Sequence, residues 1–320
     1  MSASKPARPR LRLGTRGSPL ALAQAREVRA RLAAAHPELA ADDAVEIAVI
    51  KTTGDRVRDR PLAEIGGKGL FTKEIDEALT DRRIDLAVHS MKDVPTWLPD
   101  GLGIVSVPPR EDPRDAFFAR DAATLAALPA GAVVGTASLR RQAQVLLARP
   151  DVRVAPLRGN VATRLAKLER GEVDATLLAV AGLKRLGEGA RITAALSPEE
   201  MLPAVAQGAI GIAARLDDGA MGAYLAPLDD RPSALRVLAE RACLRELDGS
   251  CRTPIAVYTE LTEDGASMWL RALISMPDGT AAHRTEQRGP AVDGEAMGRA
   301  AGQALRAAAG PAFFAALAAL

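Results

Sequence analysis

The sequence predicts an α/β protein built from two α/β domains, with a small α+β domain at its C-terminal end. Three observations predict it. From residue 11 to about residue 183, short β-rich runs alternate with helical patterns, which is the grammar of parallel-sheet α/β construction. The proline-punctuated stretch Pro108-Pro109-Arg110-Glu111-Asp112-Pro113 divides that alternation into two units and reads as a hinge. Beyond residue 231 a helix and three strand-like runs joined by turn signals take over.

The expected strands of the first two units are 11–14, 45–51, 84–89, 103–107, 133–135, 152–156 and 175–179. Ser18 caps a helix with Pro19 in its first turn, and His36-Pro37 ends it. Asn160 opens a second helix running to Gly171. A short apolar run at 209–214 offers a strand that returns to the first sheet. The expected domains are therefore 10–108 with 209–226, then 114–203, then 231–320. In the last of these, 231–247 reads as a helix, and 255–261, 267–276 and 280–288 as strands. Their turns are Glu263-Asp264-Gly265 and Pro277-Asp278-Gly279. An Ala-rich helix closes the chain.

Composition narrows the function. Forty-two basic and forty acidic residues leave a formal charge of +2, so no global field recruits nucleic acid. Only seven of the basic residues are Lys, which leaves 42 − 7 = 35 Arg. That ratio fits carboxylate recognition or an Arg-favouring genome, and only positions separate the two. No apolar stretch approaches the ~20 residues that span a bilayer, and residues 11–16 supply no export core. A cytoplasmic protein without membrane or nucleic-acid partners is expected, and nothing demands more than a monomer. In a reducing compartment Cys243 and Cys251 need separate explanations.

Arginine gathers where strands end, the edge at which open α/β sheets take ligands. Gly14-Thr15-Arg16-Gly17-Ser18-Pro19 joins a strand to a helix N-terminus, which favours an anion. The plainer reading is a Ser18 cap and a solvated Arg16. Gly135-Thr136-Ala137-Ser138-Leu139-Arg140-Arg141 puts two cations in a first helical turn, against the helix dipole. A ligand anion would offset that penalty; so would water or acidic neighbours. Leu157-Arg158-Gly159-Asn160, with Arg164 one turn on, repeats the pattern, and Leu183-Lys184-Arg185 is a fourth case. Together they point to a ligand with several carboxylates or phosphates. No GxxxxGK[ST] or GxGxxG is present, which disfavours nucleotide cradles.

Gly66-Gly67-Lys68-Gly69 reads as a mobile lid or as a simple connector. Asp93, beside Lys92 after an apolar strand, is the best general-acid or cation-stabilising candidate, against a turn-residue reading. His89 ends the same strand and reads as structural. Cys243 falls on the apolar face of its helix. Cys251 lies on a loop beside Arg252, which favours thiolate, and suggests a nucleophile or attachment point rather than a bystander thiol.

Taken together, these segments resemble the porphobilinogen deaminases, also called hydroxymethylbilane synthases. The resemblance rests on Leu13–Ala21, Gly66–Phe71, Ala87–Pro95, Arg110–Ala116, Gly135–Arg141, Leu157–Val161, Leu178–Leu186, Gln207–Ala209 and the Cys251 loop, in order along nearly the whole chain. It implies two domains folded like the two-domain periplasmic solute-binding proteins and a third carrying the cysteine. It implies a transferase that joins four porphobilinogens head to tail with loss of ammonia, then frees the linear hydroxymethylbilane by hydrolysis. It also implies a dipyrromethane cofactor held by thioether to Cys251, with Asp93 catalytic. Carboxylate binders of cofactor and substrate fall on Lys92, Ser138, Arg140, Arg141, Arg158 and Arg185, and on Arg16, Ser18 and Lys68; no metal is implied. The residue before the cysteine, Ser250, is often Gly in relatives. A non-catalytic solute binder of the same architecture is the alternative, opposed by the absent export core, the absent helix-turn-helix and the cysteine-bearing third domain.

Overall fold

The computed structural model describes residues 11–56, 69–192, 194–247 and 253–319. Two five-stranded sheets and one three-stranded sheet organise them. The first sheet has the order β2-β1-β3-β10-β4, from strands Leu11–Thr15 (β1), Val45–Val49 (β2), Leu86–Ser90 (β3), Leu102–Ser106 (β4) and Ile210–Arg215 (β10). The second has the order β7-β6-β8-β5-β9, from Asp115–Ala119 (β5), Val133–Gly135 (β6), Arg153–Ala155 (β7), Ala175–Ala179 (β8) and Ala194–Ala195 (β9).

The two orders are the same motif twice. In each sheet the strand next to one edge pairs in parallel with two neighbours, β1 with β2 and β3, and β6 with β7 and β8. A strand from elsewhere in the chain then enters antiparallel, β10 beside β3 and β4, and β5 beside β8 and β9. Both sheets are therefore mixed, where the alternation of strands and helices predicts purely parallel ones. β5 goes unsignalled in the sequence because an acidic first residue and the preceding Pro113 mask a short apolar run. β10 is the expected return strand, buried along its whole length.

Two compact units emerge: residues 1–90, 97–108 and 210–230 in one, and 91–96, 109–209 and 231–320 in the other. The first is built around Leu13, Val28, Leu32, Leu86 and Ile212, all essentially removed from water. In the second, Phe117, Val134, Val145 and Leu177 fill one side of the sheet, and Leu157, Leu165 and Leu183 the other. Within that second unit lies the antiparallel sheet of Ile255–Leu261 (β11), Ser267–Ser275 (β12) and Ala282–Pro290 (β13), with the helices Arg231–Glu246 and Gly294–Ala318. The helices approach closely at Gly298, where a Cβ would stand 2.0 Å from the Ala239 carbonyl oxygen. The short segment 91–96, with Lys92 and Asp93, belongs to the second unit although β3 before it belongs to the first.

Candidate active site

In the first unit, β1 delivers Arg16 and Ser18 to the carboxyl end of the parallel strands. Ser18 caps the helix Pro19–Ala35, its Oγ accepting from the Ala21 amide at 3.2 Å. The Arg16 guanidinium donates from Nε to Asp55 at 3.1 Å and stacks 4.0 Å over the Phe71 ring. Burial would raise the Asp55 carboxyl, but Arg16 and Thr52 hold it below its usual value. His89 ends β3 as expected of a structural residue: burial, then the Arg16 charge, pushes it down to about 4, so it is neutral at neutral pH.

In the second unit the carboxyl ends of β6, β7 and β8 lie along one edge, because the three strands run parallel. Each hands over to a helix. Ser138 caps Leu139–Ala148, its Oγ accepting from the Arg141 amide at 3.4 Å. Asn160 caps Val161–Glu169, accepting from the Thr163 amide at 2.9 Å, after Gly159 has turned the chain at φ 124°. The helix Val180–Arg185 follows β8 directly, and Arg185 donates to the Gly208 carbonyl at 3.0 Å.

Arg140 and Arg141 do not reach outward. Both turn in onto Asp115, the first residue of β5, which is fully buried. Arg140 donates to Asp115 Oδ2 at 2.7 Å, and Arg141 donates twice to Oδ1, at 3.1 and 2.7 Å. Burial alone would raise this carboxyl; the two guanidiniums hold it well below the usual carboxylate range. An internal acid thus supplies the counter-charge for which a ligand, water or acidic neighbours all qualify on sequence grounds. Asp115 is not apparent as a site residue from the sequence, its only signal being an acid heading an apolar run.

The same acid organises the turn Met91–Asp93. Gln207 donates to Asp115 Oδ1 at 3.0 Å and to the Pro113 carbonyl at 2.7 Å, which leaves its carbonyl oxygen to accept from Lys92 Nζ at 3.2 Å. The next residue, Gly208, has φ 91°, and a Cβ there would stand 2.2 Å from the Glu111 carbonyl oxygen. Lys92 is pushed down to about 8, by burial first and then by Arg141. Arg164 is pushed down to about 10, by burial and then by Arg141 and Arg158. The edge therefore gathers Lys92, Arg140, Arg141, Arg158 and Arg164 into mutual repulsion around one buried carboxylate. Arg140 Nε is buried and has no hydrogen-bond acceptor among the described residues. A surplus of cation along this edge, with Lys92, Arg158 and Arg164 partly exposed, fits a polycarboxylate.

Lys68 and Cys251 lie outside the described residues. Cys243 is fully buried, and burial, then Glu240 and Glu246, pushes its thiol up to about 12. Among the described residues no cluster of His, Cys, Asp and Glu suits a metal ion, and no helix is long and apolar enough to cross a membrane.

Comparison with known proteins decides between the readings. Residues 11–223 match the porphobilinogen deaminase dipyromethane cofactor binding domain, and residues 234–307 match the porphobilinogen deaminase C-terminal domain. The chain belongs to the porphobilinogen deaminase family. It is 57% identical over 307 residues to the chloroplastic porphobilinogen deaminase of Oryza sativa subsp. japonica, covering 95% of this chain and 85% of that one. It is also 57% identical over 304 residues to the porphobilinogen deaminase of Paracoccus denitrificans, covering 95% and 96%. Among solved structures it is similar to a putative methionine-binding lipoprotein of Bacillus subtilis, at 12% identity and TM-score 0.41 over 70% of this chain and 91% of that one.

Proposed function

We propose that Asp93 and the cations around it carry out the chemistry of a hydroxymethylbilane synthase, with the cofactor attached through Cys251. The family activity is a transferase reaction of tetrapyrrole biosynthesis, and its cofactor is dipyrromethane. The observation that carries the residue assignment is the cation excess around the Lys92-Asp93 turn. Each porphobilinogen brings an acetate and a propionate, so a lengthening chain accumulates the charge this edge lacks.

The bound cofactor supplies an electron-rich pyrrole as the starting end of the chain. Arg158, Arg164, Arg185, Lys92 and Ser138 would hold its carboxylates, with Arg140 and Arg141 behind them on Asp115. Arg16, Ser18 and Lys68 take those of the incoming porphobilinogen. Loss of ammonia leaves positive charge on the substrate's methylene carbon. The fixed Asp93 carboxylate stabilises that charge, accepts from the pyrrole N–H and takes up the proton released on coupling. The reading extends to a monomer working in the cytoplasm without nucleic acid. Incubation with porphobilinogen alone should release ammonia and yield hydroxymethylbilane, and the purified protein should turn pink with acidic aldehyde reagent. A simple solute binder would do neither.

The Lys92 ammonium is complete well below pH 8 and is lost as pH rises through about 8. KM for porphobilinogen should therefore climb above pH 8, and Lys92→Arg, which stays charged, should flatten that rise. For stability the sign is opposite. The folded state binds fewer protons than the unfolded one between about pH 8 and the free lysine value of 10.5, so deprotonation relieves a cost and stability rises with pH there. A KM that is flat to pH 9 in the wild type would refute the role.

Arg→Lys exchange separates clamp from scaffold. Arg158→Lys keeps the charge but loses the fork, worth roughly 1.5–3 kcal/mol or about tenfold to a hundredfold, and should stall chain growth at early adducts resolved by mass. Arg141→Lys breaks a double contact to buried Asp115, so it should lower the melting temperature as well. Arg170, exposed and paired with Glu172, should tolerate the change. Equal behaviour of Arg158→Lys and Arg170→Lys would end the carboxylate-clamp argument.

A further inference from the structure

The helix Arg231–Glu246 carries two adjacent buried charges that face different loops. Glu240 is wholly buried; it pairs with Arg110 at 2.7 Å and accepts from the Ala206 amide at 2.6 Å and the Thr259 amide at 3.0 Å. Every charge in that set is answered. Arg241 is the opposite case. It is 8% exposed, and no carboxylate among the described residues pairs with it. Its guanidinium donates instead to two consecutive backbone carbonyls, Val94 at 3.0 Å and Pro95 at 2.6 Å. Burial, and then its neighbour Arg245, pushes it down to about 10.

A buried cation without a counter-ion is costly, and neutral oxygens compensate it only in part. Folding alone would be served as well by an apolar side chain of similar size. What the guanidinium supplies is geometric: its rigid planar fork fixes the relative orientation of two carbonyls, which an ammonium's freely rotating donors do not. Those carbonyls belong to the two residues directly after Asp93. The other end of the turn is tied as well, the Met91 amide donating to the Ala209 carbonyl at 3.0 Å and the Val94 amide to the Met91 carbonyl at 3.2 Å. The Asp93 backbone is thus gripped from the second unit, in keeping with the grouping of 91–96 there. The gripping helix is also the one whose chain runs on, a few residues later, to Cys251.

We propose that Arg241 is a positioning residue for Asp93, holding the catalytic turn in register with the helix that leads to the cofactor-bearing loop. The proposal rests on Asp93 being catalytic, and its test separates the two claims. Holoenzyme carrying Arg241→Met, Asp93→Asn or both is compared with Arg245→Met, a change at an exposed arginine of the same helix. Arg241→Met should retain the cofactor by intact mass and lower kcat by about tenfold or more with KM nearly unchanged, as expected of a misplaced catalytic group. Amide hydrogen exchange across 91–96 should quicken in Arg241→Met and not in Arg245→Met.

The deciding readout is the cycle. If Arg241 acts through Asp93, its loss in the Asp93→Asn background should cost less than about threefold, because coupled residues are not additive. A purely structural role would give the full loss in both backgrounds and would overturn the proposal, as would Arg241→Met activity equal to Arg245→Met. Near-normal turnover of Asp93→Asn would instead sink the Asp93 assignment itself. Should Arg241→Met fail to fold, Arg241→Lys, which keeps the charge and one of the two contacts, runs through the same cycle. A loss seen only when Asp93 is present would support positioning, and an equal loss in both backgrounds would overturn it.

Discussion

Cys251→Ser should abolish turnover and leave the purified chain at its sequence mass, whereas the wild type should exceed that mass by one dipyrromethane. Thioether formation needs a nucleophilic sulfur, and reactivity follows the thiolate fraction. The chain offers two cysteines. Cys243 is disqualified by its surroundings, since burial and two nearby carboxylates push its thiol up to about 12. In sequence, Cys251 follows Gly249-Ser250 and precedes Arg252, a composition that favours thiolate. Cys243→Ser should therefore keep both the added mass and the activity, at some cost in packing. An active wild-type enzyme of unmodified mass would refute the attachment.

Asp93→Asn should lower turnover by about 10² to 10³, the usual loss on removing a preorganised electrostatic group, with little change in melting temperature. Asparagine keeps the size and hydrogen-bonding capacity but not the charge that answers the substrate cation. The turn itself is held by backbone contacts from Ala209 and Arg241, which the substitution leaves in place. Asp115→Asn should behave in the reverse manner. Its carboxylate answers two buried guanidiniums, so neutralising it strands both and should cost several kcal/mol of stability, as breaking a buried ion pair does. Kinetics and thermal melts on the two variants discriminate an acid that reacts from an acid that supports. Near-normal turnover of Asp93→Asn would remove it from the chemistry.

The strand-to-helix junctions were legible because they are written in local grammar. Strand, glycine or small hydroxyl residue, capping residue, helix is a contiguous pattern, and Ser18, Ser138 and Asn160 each cap as that pattern requires. Arg16 and Arg158 follow from it, because a residue placed just after a parallel strand emerges at the sheet's carboxyl edge, whereas Arg185 closes the helix after β8. Asp115, Gln207 and Arg241 were not legible. Asp115 lies 25 residues from Arg140 in sequence, Gln207 lies 115 from Lys92, and Arg241 lies 147 from Val94. No local pattern can report contacts over such separations.

The sequence by itself determined the strand–helix alternation, the caps, the stations of the arginines along the chain and the burial of Cys243. All of these depend on residues a few positions apart, whose preferences survive without the rest of the molecule. Tertiary structure alone decided which way the arginines turn. A cation at a helix N-terminus needs a counter-charge, but whether that charge is a ligand or a buried Asp115 depends on a strand inserted antiparallel from elsewhere in the chain. It also decided that the Asp93 turn groups with the second unit although β3, which leads into it, belongs to the first. Charge compensation and backbone anchoring in a dry interior are settled by whatever the fold brings within hydrogen-bond reach, and that is a property of the whole chain.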